Sequence, residues 1–338
     1  MLADRRVEWT GRRSAVLRLA LAGISGVFAL GVTGCGGQAA GSAAQDPAAA
    51  SAAPQPALPS VAAPALRSTP VVTDPTALTL PIQAYMPTDG QLAGLTDAQG
   101  ALAQRCMARL GYSYVPPASA STVSGAVSGM TDLRYGIHDA VTAAADGYHP
   151  AAGGGGAAKQ AQEIAAANQA LARMSPDELY ALFGSSASGP VPTTSATKKV
   201  PAGGCSGQAL GEITGGSPFI ADLAQTVNNE SYALSLRDPR TLAVFASWSA
   251  CMKNAGYDYA NPNAAVNDPR FQGGTPSALQ KATAVADVRC KDQGNVIGVW
   301  YSVDTAYQVS LIKKNSRSFQ AIGQQDTAEV RNASRLVG

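Results

Sequence analysis

One phrase occurs twice in this chain, and nothing else in it constrains the fold as tightly. C-M-A-R-L-G-Y-S-Y runs from Cys106 to Tyr114 and C-M-K-N-A-G-Y-D-Y from Cys251 to Tyr259, with Pro116 and Pro262 following. Ahead of each copy, apolar residues recur at helical spacing: Leu102, Cys106 and Leu110 in one, Val244, Trp248 and Met252 in the other. A helix therefore runs into each Cys-Met pair. Gly111 and Gly256 suit the left-handed position that ends a helix, which glycine adopts without a Cβ clash. Tyr-x-Tyr then sends two rings to one side of an extended piece. The expected unit is a helix, a glycine stop and a short extended segment, with a thiol on the helix's last turn.

The start of the chain sets the compartment. Residues 1–34 read as an export signal: Arg5, Arg6, Arg12, Arg13 and Arg18 precede an apolar stretch from Leu19 to Thr33. That stretch is shorter than the roughly 20 residues a membrane helix needs. It closes on V-T-G-C, which resembles the lipobox of bacterial lipoproteins. The resemblance implies cleavage before Cys35 and a diacylglyceryl group on its sulfur. Two or three acyl chains make a stable anchor, where one alone binds marginally. The expected location is the extracytoplasmic face of the cell membrane. Arg12-Arg13 leaves twin-arginine export open beside general secretion.

From Cys35 to residue 87 the composition turns to Ala, Pro, Ser and Gly, with few charges. Such a stretch lacks the large apolar residues of a core and reads as a disordered linker. The folded part is expected over 88–314, as one unit from 88 to 236 carrying an insertion at 117–200, and a second from 237 to 314. Residues 315–338 read as a polar helix end or tail. Thr96 or Asp97 is a candidate cap for the first helix. Ser175-Pro176-Asp177-Glu178 is a capping box, and Ser217-Pro218, Asp238-Pro239 and Thr275-Pro276 repeat the cap-then-proline start. Val296, Trp300, Val303, Tyr307 and Leu311 stripe a long last helix. Alternating strand patterns are scarce. The fold class is mainly α: an irregular helical domain of two duplicated units, braced by disulfides.

Outside the cytoplasm, the four cysteines beyond Cys35 imply two disulfides. The repeat favours Cys106 with Cys205 and Cys251 with Cys290, so that each repeat helix is stapled to a later element. Cys106 with Cys251 is the rival pairing.

Several patterns invite a reaction and do not carry one. Gly203-Gly204-Cys205-Ser206-Gly207 has the form of a nucleophile elbow, but a poor strand precedes it and only His138 and His149 could serve as base. The two histidines lie at no common zinc spacing. Gly153 to Gly156 lacks the Lys and Ser/Thr of a phosphate loop. Five of the 25 Lys and Arg and two of the 23 Asp and Glu fall in the first 34 residues, leaving a nearly neutral mature chain. No basic patch appears, which argues against nucleic acid. No cofactor or metal is expected.

Aromatics with polar tips can line a cleft for peptides or sugars. The candidate contacts are Tyr112, Tyr114, His149, Trp248, Tyr257, Tyr259 and Trp300. The chain resembles a group of actinomycete secreted proteins and lipoproteins with no assigned activity. The resemblance is carried by V-T-G-C, by Tyr135-Gly136 to Tyr148-His149, by Gly204-Cys205, by W-S-A-C-M-K-N-A-G-Y-D-Y and by V-A-D-V-R-C-K. It covers most of residues 96–312 and implies a cell-envelope location without an activity. The expected function is non-catalytic binding of an envelope peptide, glycan or partner protein. The alternatives are a cell-wall hydrolase, which needs His138 or His149 beside a nucleophile or carboxylate in a pocket, and a structural subunit joined through an exposed Trp300–Tyr307 stripe.

Overall fold

Both copies of the repeated phrase fold alike. The first helix, α1 (Asp89–Arg109), ends at Leu110 with Gly111 at φ +80°; α7 (Pro239–Asn254) ends at Ala255 with Gly256 at φ +91°. At each stop two backbone bonds close the helix. Tyr112 N–H reaches the Met107 carbonyl at 2.9 Å and Gly111 N–H the Ala108 carbonyl at 2.9 Å. Tyr257 to Met252 and Gly256 to Lys253 repeat the pair at 2.9 and 3.0 Å. This is the Schellman arrangement, which satisfies carbonyls the helix end would leave orphaned. The likeness continues beyond the stop. The residue two before each cysteine, Gln104 or Ser249, donates a side-chain bond to the carbonyl of the second tyrosine, Tyr114 or Tyr259.

The computed structural model describes residues 62–117, 125–149, 157–184, 199–216, 221–273 and 275–337. Cys35, the signal, the glycine run and the Ser217-Pro218 start lie outside them. The other helices are α2 (Ala140–Asp146), α3 (Ala157–Ala172), α4 (Pro176–Phe183), α5 (Gly204–Thr214), α6 (Ala221–Ser235), α8 (Pro262–Val266), α9 (Ala278–Gln293), α10 (Val296–Lys314) and α11 (Ser316–Val337). The described residues hold no strand, so the domain is mainly α.

The caps follow side-chain chemistry. Ser175 and Glu178 form a reciprocal capping box on α4, and Asp238 caps α7. Two starts differ from expectation. Thr88, bonded reciprocally with Gln91, caps α1, so Thr96 and Asp97 fall inside the helix. Ser277 rather than Thr275 caps α9.

The disulfides join Cys106 to Cys205 and Cys251 to Cys290, with Cα–Cα distances of 5.5 and 5.7 Å. Cys106–Cys251 pairing is thereby ruled out. On α7 and α9 the contacts advance in step: Trp248 meets Asp287, and three residues later Cys251 meets Cys290. The two helices therefore run parallel, with residues 255–277 returning along them. The first bridge is built otherwise, because Cys205 sits on the first turn of α5. There α4 and α5 meet backbone to backbone. A Cβ on Gly204 would lie 2.5 Å from the Leu182 carbonyl oxygen. Gly204, just before Cys205, thus serves close approach.

Packing interleaves the two halves. One core gathers α1, α4 and α5 around Ala98, Met107, Leu182, Cys205 and Ile213. The other gathers α7, α9 and α10 around Trp248, Met252, Val296, Ile297 and Trp300. Tyr135 from the first unit's insertion sits inside this second core, and Tyr232 of α6 packs against it. Going the other way, Ala333 of α11 is buried in the first core, and Leu336 packs on it. The expected polar tail after residue 314 is thus a 22-residue helix that packs on α1 and α5. Phe319 and Ile322 on it are almost fully buried.

The linker also ends earlier than expected. Residues 62–85 form a strap, with Val72, Leu80 and Ile82 buried. Asn295, held at φ +47°, clamps the strap's backbone at two points. Its Nδ2 donates to the Pro70 carbonyl at 3.0 Å and its Oδ1 accepts from Val72 N–H at 3.1 Å. Further along α10, Tyr301 Oη donates to the Thr79 carbonyl and Gln308 Oε1 accepts from Ile82 N–H. Gly298 leaves the room this needs, since a Cβ there would run into the Pro70 carbonyl oxygen.

Candidate functional site

The aromatic candidates do not converge. Tyr112 and Tyr114 pack on the first core, while Tyr257 and Tyr259 pack on the second. Burial raises the Tyr114 phenol above its usual range. The Tyr259 hydroxyl donates to Asp268 at 2.7 Å and accepts from Arg270 at 3.0 Å. The Arg270 guanidinium, backed by the Tyr259 hydroxyl, holds the Asp268 carboxyl far below the ordinary range, against the opposing effect of burial. This surface cluster fixes the loop after α8.

Trp248 and Trp300 are both fully buried, so neither meets a ligand. Each indole N–H is satisfied inside the core, Trp248 by Asp287 at 2.8 Å and Trp300 by Ser235 at 2.9 Å. Tyr135, Tyr232 and Phe245 surround the Trp300 ring at centroid distances of 5.3, 5.4 and 5.0 Å. Such tilted and offset contacts are favourable for aromatic rings. Tyr307 is buried too, its hydroxyl donating to Asp238. The stripe through Trp300 and Tyr307 is therefore core and not exposed surface.

His149 Nε2 lies 3.1 Å from the Phe271 carbonyl oxygen, tying the insertion to the loop before α9. His138 Nε2 lies 2.9 Å from Asp132 Oδ1, and its Nδ1 3.9 Å from Asp74. Both carboxylates are more than half exposed. Cys205, the elbow-like cysteine, is consumed by its disulfide.

Two buried polar centres escaped the sequence reading. Arg134 Nε pairs with Asp304 at 2.6 Å, its other nitrogens reach Asn228, and its guanidinium covers the Tyr232 ring. Tyr135 Oη donates to the same Asp304 oxygen at 2.9 Å. Burial and the Asp304 charge push the Tyr135 phenol well above its ordinary range. The second centre is Asp287 with Lys291, beneath Trp248. The signal for both was a charged residue at a helical position otherwise facing the core. Asp287 follows Ala284 and precedes Val288 and Cys290, all buried.

An open depression, about 390 Å³ in volume, lies over α7 and the turn into α8. Leu236, Leu242, Phe245, Ala246 and Ala260 line it, with Asn261 and Asn263 on its border. Leu242 is 50% exposed there. Phe245 forms its floor and rests edge-on against Trp300. The buried tryptophan thus supports the depression without lining it. Tyr112, Tyr114, Tyr257, Tyr259 and His149 do not line it either.

Among the described residues, no group of His, Cys, Asp and Glu is arranged to hold a metal ion. No helix there is long and apolar enough to cross a membrane. No family model, no curated protein and no solved structure is significantly similar to this chain.

Proposed function

We propose that this chain is a lipid-anchored envelope protein that grips a peptide segment of a partner protein, without chemistry of its own. The observation that carries this reading is the depression over α7 and α8, with half-exposed Leu242 presented beside two amides. Apolar side chains seat in such a surface, while nearby amides suit a peptide backbone. A glycan is favoured less, because sugars stack on exposed aromatic faces and Phe245 is 5% exposed. The anchor rests on Cys35 and the V-T-G-C signal.

The test is cross-linking in envelope extract from a photoreactive residue at position 246, in the otherwise unchanged chain and in Leu242→Asp. One cross-linked partner should appear, weaken at least tenfold in Leu242→Asp, and persist in Tyr112→Ala. Equal cross-linking in Leu242→Asp removes the depression from the function. The hydrolase reading draws on the His138–Asp132 contact. Cell-wall turnover by the purified protein, lost in His138→Ala, would favour it instead.

A further inference from the structure

Asp287 and Lys291 stand one turn apart on α9, with side chains each 1% exposed and Nζ 3.0 Å from Oδ2. Their remaining polar contacts come from other elements. Trp248 Nε1 donates to Asp287 Oδ1 at 2.8 Å, and Lys291 Nζ donates to the Ile137 carbonyl at 3.0 Å. Gly136 keeps space around the amine, since a Cβ there would lie 2.6 Å from Nζ. The Tyr148 hydroxyl is buried nearby without meeting hydrogen-bond geometry. Two opposite charges this deep lose hydration that their attraction only partly returns. Residues four apart on a helix face each other, and this pairing holds the amine 3.0 Å from Oδ2 of the carboxyl group it would attack.

We infer that Asp287 and Lys291 condense into an amide, a covalent staple across one turn of α9. The proton shared between them passes from Nζ to Oδ2, leaving a neutral amine and a carboxylic acid. The Nζ lone pair attacks the carboxyl carbon, and negative charge develops on Oδ1, where the Trp248 N–H already points. Nζ then gives a second proton to Oδ2, the C–Oδ2 bond breaks, and one water leaves. Nothing is oxidised or reduced. Burial raises the Asp287 carboxyl above its ordinary range, against the opposing pull of Lys291, and so favours the acid form the reaction needs. The product keeps the contacts that matter. The new carbonyl still accepts from Trp248, the new N–H still donates to Ile137, and the atom that departs is the one that bonded only within the pair. Two buried charges become one neutral, hydrogen-bonded group.

Mass spectrometry of the full mature chain, reduced and alkylated after folding, tests this without any variant. With the lipid on Cys35 and the alkyl groups accounted for, the expected mass is one water below that of the uncondensed chain. Lysine-specific digestion should leave the bond after Lys291 intact, and trypsin, cutting after Arg289, should yield two pieces that stay joined. Lys291→Arg should restore the full mass, and Trp248→Phe should leave a substantial uncondensed fraction. Full mass in the unaltered chain, with Lys291 open to cleavage, overturns the proposal. So does a missing water placed elsewhere, such as an aspartyl succinimide, because Lys291 is then cleaved normally.

Discussion

Asp326 lies half-buried on α11, one turn from the buried Glu329. Burial, with the Glu329 charge added, lifts its carboxyl to about 6. An unfolded aspartate titrates near about 3.9. The folded chain therefore holds this proton over a range where the unfolded chain has lost it, and stability falls as pH rises from about 3.9 through about 6. Asp326→Asn should raise stability at pH 7 by less than about 1 kcal/mol, because a half-exposed charge is screened. It should change nothing well below about pH 3.9. Urea midpoints at the two pH values decide it, and an equal gain at both would refute the assignment. Single residues were the least legible scale in the sequence. Trp248 and Trp300 carry polar N–H groups and so invited a surface role. Their burial depends on Asp287 and Ser235, residues 39 and 65 positions away in sequence. No local pattern encodes such a partner.

Elements were read well where the signal was local. The Ser175 box, the Asp238 cap and both glycine stops form as their residue types require. The disulfide pairing was also legible, because duplication carried long-range information within the sequence. The strap was missed because prolines dominate its neighbourhood. The apolar residues Leu78, Leu80 and Ile82, recurring every second position, were the available signal. Gly298 tests the strap directly. In an open helix, Gly→Ala gains roughly 0.5–1 kcal/mol. Here the added methyl meets the Pro70 carbonyl. Overpacking of that kind costs about 1–3 kcal/mol, so the sign should reverse. Gly298→Ala should destabilise the domain and speed hydrogen exchange at Val72 N–H. A stabilised variant with Val72 still protected would show that the strap is not seated on α10.

At the scale of the whole molecule, the mainly helical, disulfide-braced character of the domain was legible in the sequence. It did not foresee that α6, α11 and the insertion cross between the halves. Crossing is decided by which apolar faces remain after local folding, and α11 reads as polar because its buried residues are few: Phe319, Ile322, Glu329 and Ala333. The proposed anchor belongs to this scale as well. Cys35→Ala should move the protein from the detergent-extractable membrane fraction to the soluble one, or leave the signal uncleaved. Mature protein that still needs detergent would refute lipidation. Because the strap docks from Pro64 onward, the chain between Cys35 and residue 62 spans at most about 90 Å.

The strap would give the proposed tether a mechanical character. A pull on the chain ahead of residue 62 arrives at one end of the strap and meets its contacts in series. First comes the Pro64 carbonyl on Arg240, then Pro70 and Val72 on Asn295, then Thr79 on Tyr301 and Ile82 on Gln308. Bonds loaded one after another peel at far lower force than bonds sheared together. Each released stretch adds length, on the order of tens of ångströms over the whole strap. Only then does load reach α1, where the Cys106–Cys205 bridge carries it covalently into α5. Under a load applied ahead of residue 62, the strap would thus yield in steps before the disulfide-locked body does.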